Sequence, residues 1–221
     1  MGALHRVVVQ LMTCFALSLS LPEDAFTRHM AITDDDNGSA LSFNWFPPVH
    51  GKAVAPGALR ISPHTDFEVI TLLFQSRPGL EICPGKDARA GSADAASLEA
   101  KWRPADPVPG GITCNLGDAL QYLTDGRFRS TFHRVRVPRA DEDQGPRVSL
   151  AYFANVALTT PLQGPARAYP ATTFLELLAR RQTTVPLDME PGTGVVKQAA
   201  LLRYHALVAG PEAPRAEAAG T

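Results

Sequence analysis

Proline and glycine punctuate this chain so often that most of its apolar runs are too short for anything but strands. It has 19 prolines and 17 glycines in 221 residues, and the runs between their clusters are roughly 4 to 8 residues long, the usual length of a strand. Ala40–Phe46 alternates and stops at Pro47-Pro48, which cannot continue a central ladder. Val69–Gln75 is dense and apolar, and the breaker Pro78-Gly79 leads from it to a short strand at Leu80–Cys83. Ile112–Leu116, Phe128–Val137 and Arg147–Val156 read as further strands, and Pro107–Gly111 reads as a turn. Helical signs lie mostly at the ends. Leu11, Phe15 and Leu19 fall at the spacing of a packed helix, and Pro22–Met30 reads as a short second one with Glu23 and Asp24 in its first turn. Thr172–Arg181 and Val195–Val208 read as amphipathic helices ahead of a frayed end at Pro211–Thr221, and Gly117–Gly126 holds one or two helical turns capped by Asp118. Short strands between terminal helices predict a mainly β fold, a double-sheet jelly roll.

Composition narrows the partners. A 45% hydrophobic chain of this length can bury one core. With 21 basic residues against 22 acidic ones and no basic stripe, a nucleic-acid partner is not expected, and a small molecule is. No segment reaches the ~18 apolar residues of a membrane span. Met1–Leu17 has the charged start and apolar stretch of a signal peptide, but Gln10 and Thr13 interrupt it, so a cytoplasmic location is the default expectation. Cys14, Cys83 and Cys114 lack paired short spacing, which argues against a disulfide framework or a zinc site; Cys114 is expected to be a buried thiol. Asp34-Asp35-Asp36 lacks the later acceptors of a calcium loop and reads as a solvated turn. Nothing in the pattern specifies an oligomeric state.

Chemistry concentrates on five side chains. On an extended strand, residues i and i+2 share a face, so His64 and Asp66 can reach one point while Thr65 turns away. His133, on another candidate strand, would add a second imidazole. Two nitrogens and one carboxylate oxygen form the facial triad that holds non-heme Fe(II) and leaves positions open. Arg147 and Ser149 repeat the spacing, offering a guanidinium and a hydroxyl to a carboxylate. Arg147 has a structural alternative as the partner of Asp141 or Glu142 in the preceding loop. Phe153, on the same strand face, is a candidate for the pocket wall or the core. Gln121 reads as structural.

Taken in order, Pro63-His64-Thr65-Asp66, the apolar Val69–Gln75, Asn115-Leu116-Gly117-Asp118 with Gln121, Asp125–Phe128, Ser130–Val135 and Arg147–Phe153 resemble the 2-oxoglutarate/Fe(II)-dependent dioxygenases of the isopenicillin N synthase-like branch, over about Leu11–Arg181. The resemblance implies a double-stranded β-helix spanning 40–160, with a helical segment at 1–39 and a helical extension at 161–221. It implies His64, Asp66 and His133 as catalytic metal ligands for Fe(II), Arg147, Ser149 and Asn44 as the 2-oxoglutarate site, and dioxygen as the oxidant. The product set would be an oxidised small molecule, succinate and CO2. Family members carry a longer region ahead of the first helix, so a shortened N-terminus is expected, and the loops at 84–100 and 140–146 are longer here than in the family. In the family the residue two beyond the aligned Asn is a Tyr that helps hold 2-oxoglutarate. Here it is Phe46, and one hydrogen bond is lost. That departure keeps open a 2-oxoglutarate-independent Fe(II) oxidase of the same branch, in which Arg147 and Ser149 hold a substrate carboxylate. A non-catalytic jelly-roll relic acting as a binding protein is the reading from a different class.

Overall fold

A computed structural model of the chain describes residues 1–54, 57–84 and 101–181. The helix expected at Val195–Val208, the frayed end at Pro211–Thr221 and most of the 84–100 loop lie outside the described residues. The backbone falls into two units, Met1–Leu175 and Glu176–Thr221. All the described strands belong to the first.

Eight strands form two antiparallel sheets of four. The first runs β1 (Ala40–Phe46), β8 (Arg147–Ala154), β3 (Ile70–Gln75), β6 (Thr113–Leu116). The second runs β2 (Leu59–His64), β7 (Phe132–Arg136), β4 (Leu80–Cys83), β5 (Arg103–Pro104). Apart from the β4–β5 pair, consecutive strands alternate between the two sheets, which is the jelly-roll arrangement expected from the sequence. A separate two-stranded ribbon joins β9 (Pro161–Leu162) to β10 (Thr172–Thr173). Residues 161–173, expected to open a helical extension, therefore hold this ribbon, and the helix α3 begins only at Phe174 (Phe174–Arg181).

Strand alternation decides what each sheet offers. On β8, Arg147, Ser149, Ala151 and Phe153 line an internal cavity, while Tyr152 faces the other way and is fully buried. Helix α1 (Gly2–Ser18) covers that outer face: His5 Nδ1 lies 3.0 Å from the Tyr152 hydroxyl, and Val8, Met12 and Ala16 are fully buried. The buried face is thus Val8-Met12-Ala16, with Leu11, Phe15 and Leu19 half-buried at its flank. Phe15 still packs edge-on against Phe128 at 4.7 Å. Pro22–Met30 is no α-helix. Turns lead to a single 3-10 turn at Thr27–His29, as suits a segment opened by proline with few periodic apolar residues. Cys114 is exposed rather than buried, because β6 is an edge strand of its sheet. No helix of the described residues is long and apolar enough to cross a membrane.

Candidate metal centre and anion anchor

His64 is the last residue of β2, and Asp66 lies two residues past the strand end rather than within it. His133 stands near the start of β7, directly opposite His64 in the register, not at its strand's close. This cross-strand pairing brings the two rings to 4.2 Å. One ligand atom from each of His64, Asp66 and His133 falls within 4.8 Å of the others. Asp66 Oδ1 is 3.7 Å from His64 Nε2 and 3.5 Å from His133 Nε2.

The neighbourhood selects which atoms face inward. His64 Nδ1 lies 2.8 Å from the Ser62 carbonyl, and His133 Nδ1 lies 2.8 Å from the Thr131 carbonyl. A carbonyl only accepts, so each Nδ1 carries a proton, and Nε2 is the ring nitrogen that each histidine turns toward Asp66. Burial pushes the His133 imidazole below its ordinary range, partly offset by Asp66, which favours the neutral ligand form. On the carboxylate, Thr71 Oγ1 and Asn115 Nδ2 each donate to Oδ2 at 2.6 Å. One oxygen is therefore saturated and the other is left for a cation.

The Asn115-Leu116-Gly117-Asp118 stretch seats the carboxylate by its backbone as well. Helix α2 (Asp118–Leu123) starts here, and two of its first N–H groups, on Asp118 and Ala119, donate to the Asp66 and Phe67 carbonyls at 2.9 and 3.1 Å. Gly117 presses against the Glu68 carbonyl, where any Cβ would collide with backbone. Asp118 is not the cap expected from the sequence. Gly117 is the N-cap, and the buried Asp118 carboxylate accepts from Thr65 Oγ1 at 3.3 Å. Burial, together with the Asp66 and Asp118 carboxylates, pushes Glu68 up to about 7. Crowded carboxylates beside the two imidazole rings make a field suited to a cation.

From this group a cavity of about 270 Å3 extends between the sheets. Across the first sheet the register sets Asn44 opposite Ser149 and Ser149 opposite Gln75, with Phe46 opposite Arg147 one row further on. Thr71 and Gln75 are four residues apart on β3, about 13 Å, so the metal group and Arg147 mark different ends of one cavity. Asn44, Arg147, Ser149 and Phe153 all line it. Arg147 does not pair with the acids suggested by the sequence: Glu142 holds Arg136 through two bonds of 2.6 and 2.7 Å. Instead Arg147 is fully buried, and its Nη1 has no partner. Gln121, read as structural, donates to the Tyr169 hydroxyl and accepts from the Ser130 N–H. A second, more open groove at Pro107–Gly111 has no titratable side chain in its lining.

Comparison with known proteins agrees with this geometry. Residues 37–156 match the model of the 2OG-Fe(II) oxygenase superfamily. The chain belongs to that superfamily. Among its relatives are a validamycin A dioxygenase of Streptomyces hygroscopicus subsp. limoneus, 33% identical over 67% of this chain, and a proline hydroxylase of Petromyces alliaceus, 35% identical over 69%. A full-length Neurospora crassa protein crystallised with alpha-KG superposes with a TM-score of 0.65 at 26% identity over 82% of this chain. The chain spans 40% and 44% of the two relatives' lengths and 54% of the crystallised chain. Its fold and its Fe(II)/2-oxoglutarate cofactor class are those of the superfamily.

Sequence reading missed four contributors. Thr71 and Asn115 bond Asp66, Gln75 bonds Arg147, and Gly117 yields to the Glu68 carbonyl. Thr71 and Gln75 carried a usable signal: they are the polar residues of the apolar run Ile70–Gln75, and their spacing puts them on one face.

Proposed function

We propose that this chain carries the catalytic jelly roll of an Fe(II)- and 2-oxoglutarate-dependent dioxygenase that oxidises a C–H bond of a small organic molecule. The observation that supports it best is one cavity with His64, Asp66 and His133 grouped at one end and a buried Arg147 with an unbonded Nη1 at the other. In this reading the three ligands are His64 Nε2, His133 Nε2 and Asp66 Oδ1, and the donor set suits Fe(II). Fe(II) and 2-oxoglutarate, when bound, supply the activation of dioxygen, with 2-oxoglutarate leaving as succinate and CO2. The protein's own work is placement. Arg147 and Ser149 bind the distal carboxylate of the cosubstrate, and Asn44, beside Ser149, supplies a further polar contact. Thr71 and Asn115 keep Asp66 Oδ2 occupied so that Oδ1 alone faces the metal. Phe153, Leu73, Ile61 and Val135 give the cavity apolar walls that keep water from the reacting centre. The relatives' names specify validamycin A and proline, which supports a small organic substrate.

Phe46 favours one second reading. Lacking a hydroxyl, it offers Arg147 only a ring face, at 5.2 Å. An oxidase that dispenses with 2-oxoglutarate would use Arg147 and Ser149 for a substrate carboxylate instead. Anaerobic titration of the Fe(II)-loaded protein with 2-oxoglutarate, read by its visible charge-transfer absorption, separates these. A saturable band lost in Arg147→Ala is the expected result. Bound iron with no band would replace the proposal by the oxidase or by a non-catalytic relic.

A further inference from the structure

Arg147 is 1% exposed, yet among the described residues no carboxylate pairs with it. Two acids of the preceding loop are engaged elsewhere, Glu142 with Arg136 and Asp143 with Arg77. What holds the guanidinium is neutral. Nε donates to the Arg77 carbonyl at 3.2 Å, Nη2 donates to Gln75 Oε1 at 2.7 Å, and the plane lies over Phe46. The stem runs against Gly79, whose φ of +128° suits glycine, and a Cβ there would press the Arg136 carbonyl at 3.3 Å. Burial, with Arg60 nearby, pulls the Arg147 pKa down to about 10.

The geometry points to Gln75 as the positioning residue of this anchor: a neutral acceptor that fixes the guanidinium, leaves Nη1 for a ligand, and leaves the positive charge uncompensated until an anion arrives. The amide orientation follows from its partners. Nε2 is 3.3 Å from the Ala105 carbonyl, which only accepts, and 3.1 Å from Thr113 Oγ1, while Arg147 only donates. Gln75 is thus braced on one side by β6 and by the segment after β5, and delivers its oxygen to Arg147 on the other. A glutamate here would also meet the guanidinium, but it would bring a built-in counter-ion that competes with an incoming carboxylate. A buried unpaired cation is costly to the free protein, so an amide rather than an acid at this position makes sense where an external anion completes the pair. Gln75 is not among the residues that line the cavity, so its contact with a ligand there runs through Arg147. The inference rests on the proposed role of Arg147 as the cosubstrate anchor.

The test is anaerobic calorimetric titration of Mn(II)-loaded protein with 2-oxoglutarate and, separately, with oxalate, which chelates a metal but has no distal carboxylate. Wild type, Gln75→Glu, Gln75→Leu and Arg147→Met are compared, each with its thermal midpoint. Both Gln75 variants should weaken 2-oxoglutarate at least about tenfold, Gln75→Leu because a hydrogen bond to a charged group is removed and Gln75→Glu because its carboxylate competes for the guanidinium. Gln75→Glu should be the weaker binder, oxalate should bind each within twofold of wild type, and the Gln75→Glu midpoint should not fall. If Gln75→Glu does not fold, Gln75→Leu carries the same comparison. Unchanged 2-oxoglutarate affinity in the Gln75 variants, with Arg147→Met impaired, would overturn the inference and leave the anchor standing. Equal losses for both ligands with a lowered midpoint would reduce Gln75 to a structural residue and overturn it too. An Arg147→Met protein that binds 2-oxoglutarate like wild type, or a wild type that takes up no Mn(II), would instead remove the functional reading underneath.

Discussion

At the proposed metal end of the cavity the outward atom of each proposed ligand residue is already hydrogen-bonded, His64 and His133 to carbonyls and Asp66 to Thr71 and Asn115. At the other end Arg147 is bonded on two nitrogens and open on the third. The metal end presents unshared electron pairs to a cation, and the far end presents an uncompensated cation to an anion. Each is an arrangement that a ligand of opposite charge completes, and each is expensive to leave exposed in a dry interior. Complementary ends on one wall suit a molecule that touches both, as a metal-chelating dicarboxylate would.

The contrast breaks most severely at Asp66. Asp66→Ala removes the oxygen shared by both imidazoles and strands Thr71 and Asn115 without their acceptor. Metal affinity, by titration calorimetry with Fe(II) or Mn(II), should fall by more than the roughly 10- to 100-fold expected for losing an outer partner. An Asp66→Ala protein with wild-type affinity would remove the triad from the account. Arg147→Met acts at the opposite end and should leave metal affinity unchanged while 2-oxoglutarate binding is lost. Because it swaps an unpaired buried charge for an apolar chain, its thermal midpoint should rise. A fall in midpoint would show that the guanidinium is already compensated in the free protein.

Smaller changes test whether the hydrogen bonds behind Asp66 matter. Asn115→Leu and Thr71→Val each remove one donor to Oδ2 and keep the ligand itself. Each should cost about 10- to 100-fold in metal affinity, with little effect on an anion's grip on Arg147. Equal effects at both ends would mean that the ends are mechanically coupled rather than separately built.

How much of this was legible follows sequence distance. The His64 and Asp66 pair is local, and spacing along an extended chain suffices to find it even though Asp66 falls beyond the strand end. The jelly roll was legible from the turn residues, and the 40–46 and 80–83 strands fall where proline and glycine bracket them. What escaped depends on contacts between distant segments: Asn115 reaches Asp66 across 49 positions, and Arg147 reaches Gln75 across 72. Spacing alone cannot say which of many polar residues meet. Two-residue strands such as β5 and β9 escaped because they exist only through their partners. Cys114 was misplaced because an apolar strand tells which residues alternate but not that the strand lies at an edge.

The smallest expected effect sharpens the contrast from outside the cavity. Strand β8 carries the proposed anchor on its inner face and Tyr152 on its outer face, where His5 of α1 meets the tyrosine hydroxyl. Burial pulls the His5 imidazole below its ordinary 6.5, against a smaller opposing contribution from a backbone hydrogen bond at Met30. A lowered histidine pKa means that the unfolded chain takes the proton first. His5 therefore contributes its full stability above about 6.5 and loses it as pH falls further. Compared with His5→Gln, metal-free wild-type protein should lose thermal stability between pH 7 and 5, by an amount small enough to need that difference measurement. The metal and anion affinities, measured at pH 7, should be the same in both proteins. A pH-independent difference would mean that His5 is as well solvated folded as unfolded, and altered ligand affinity would mean that the two faces of β8 are not independent.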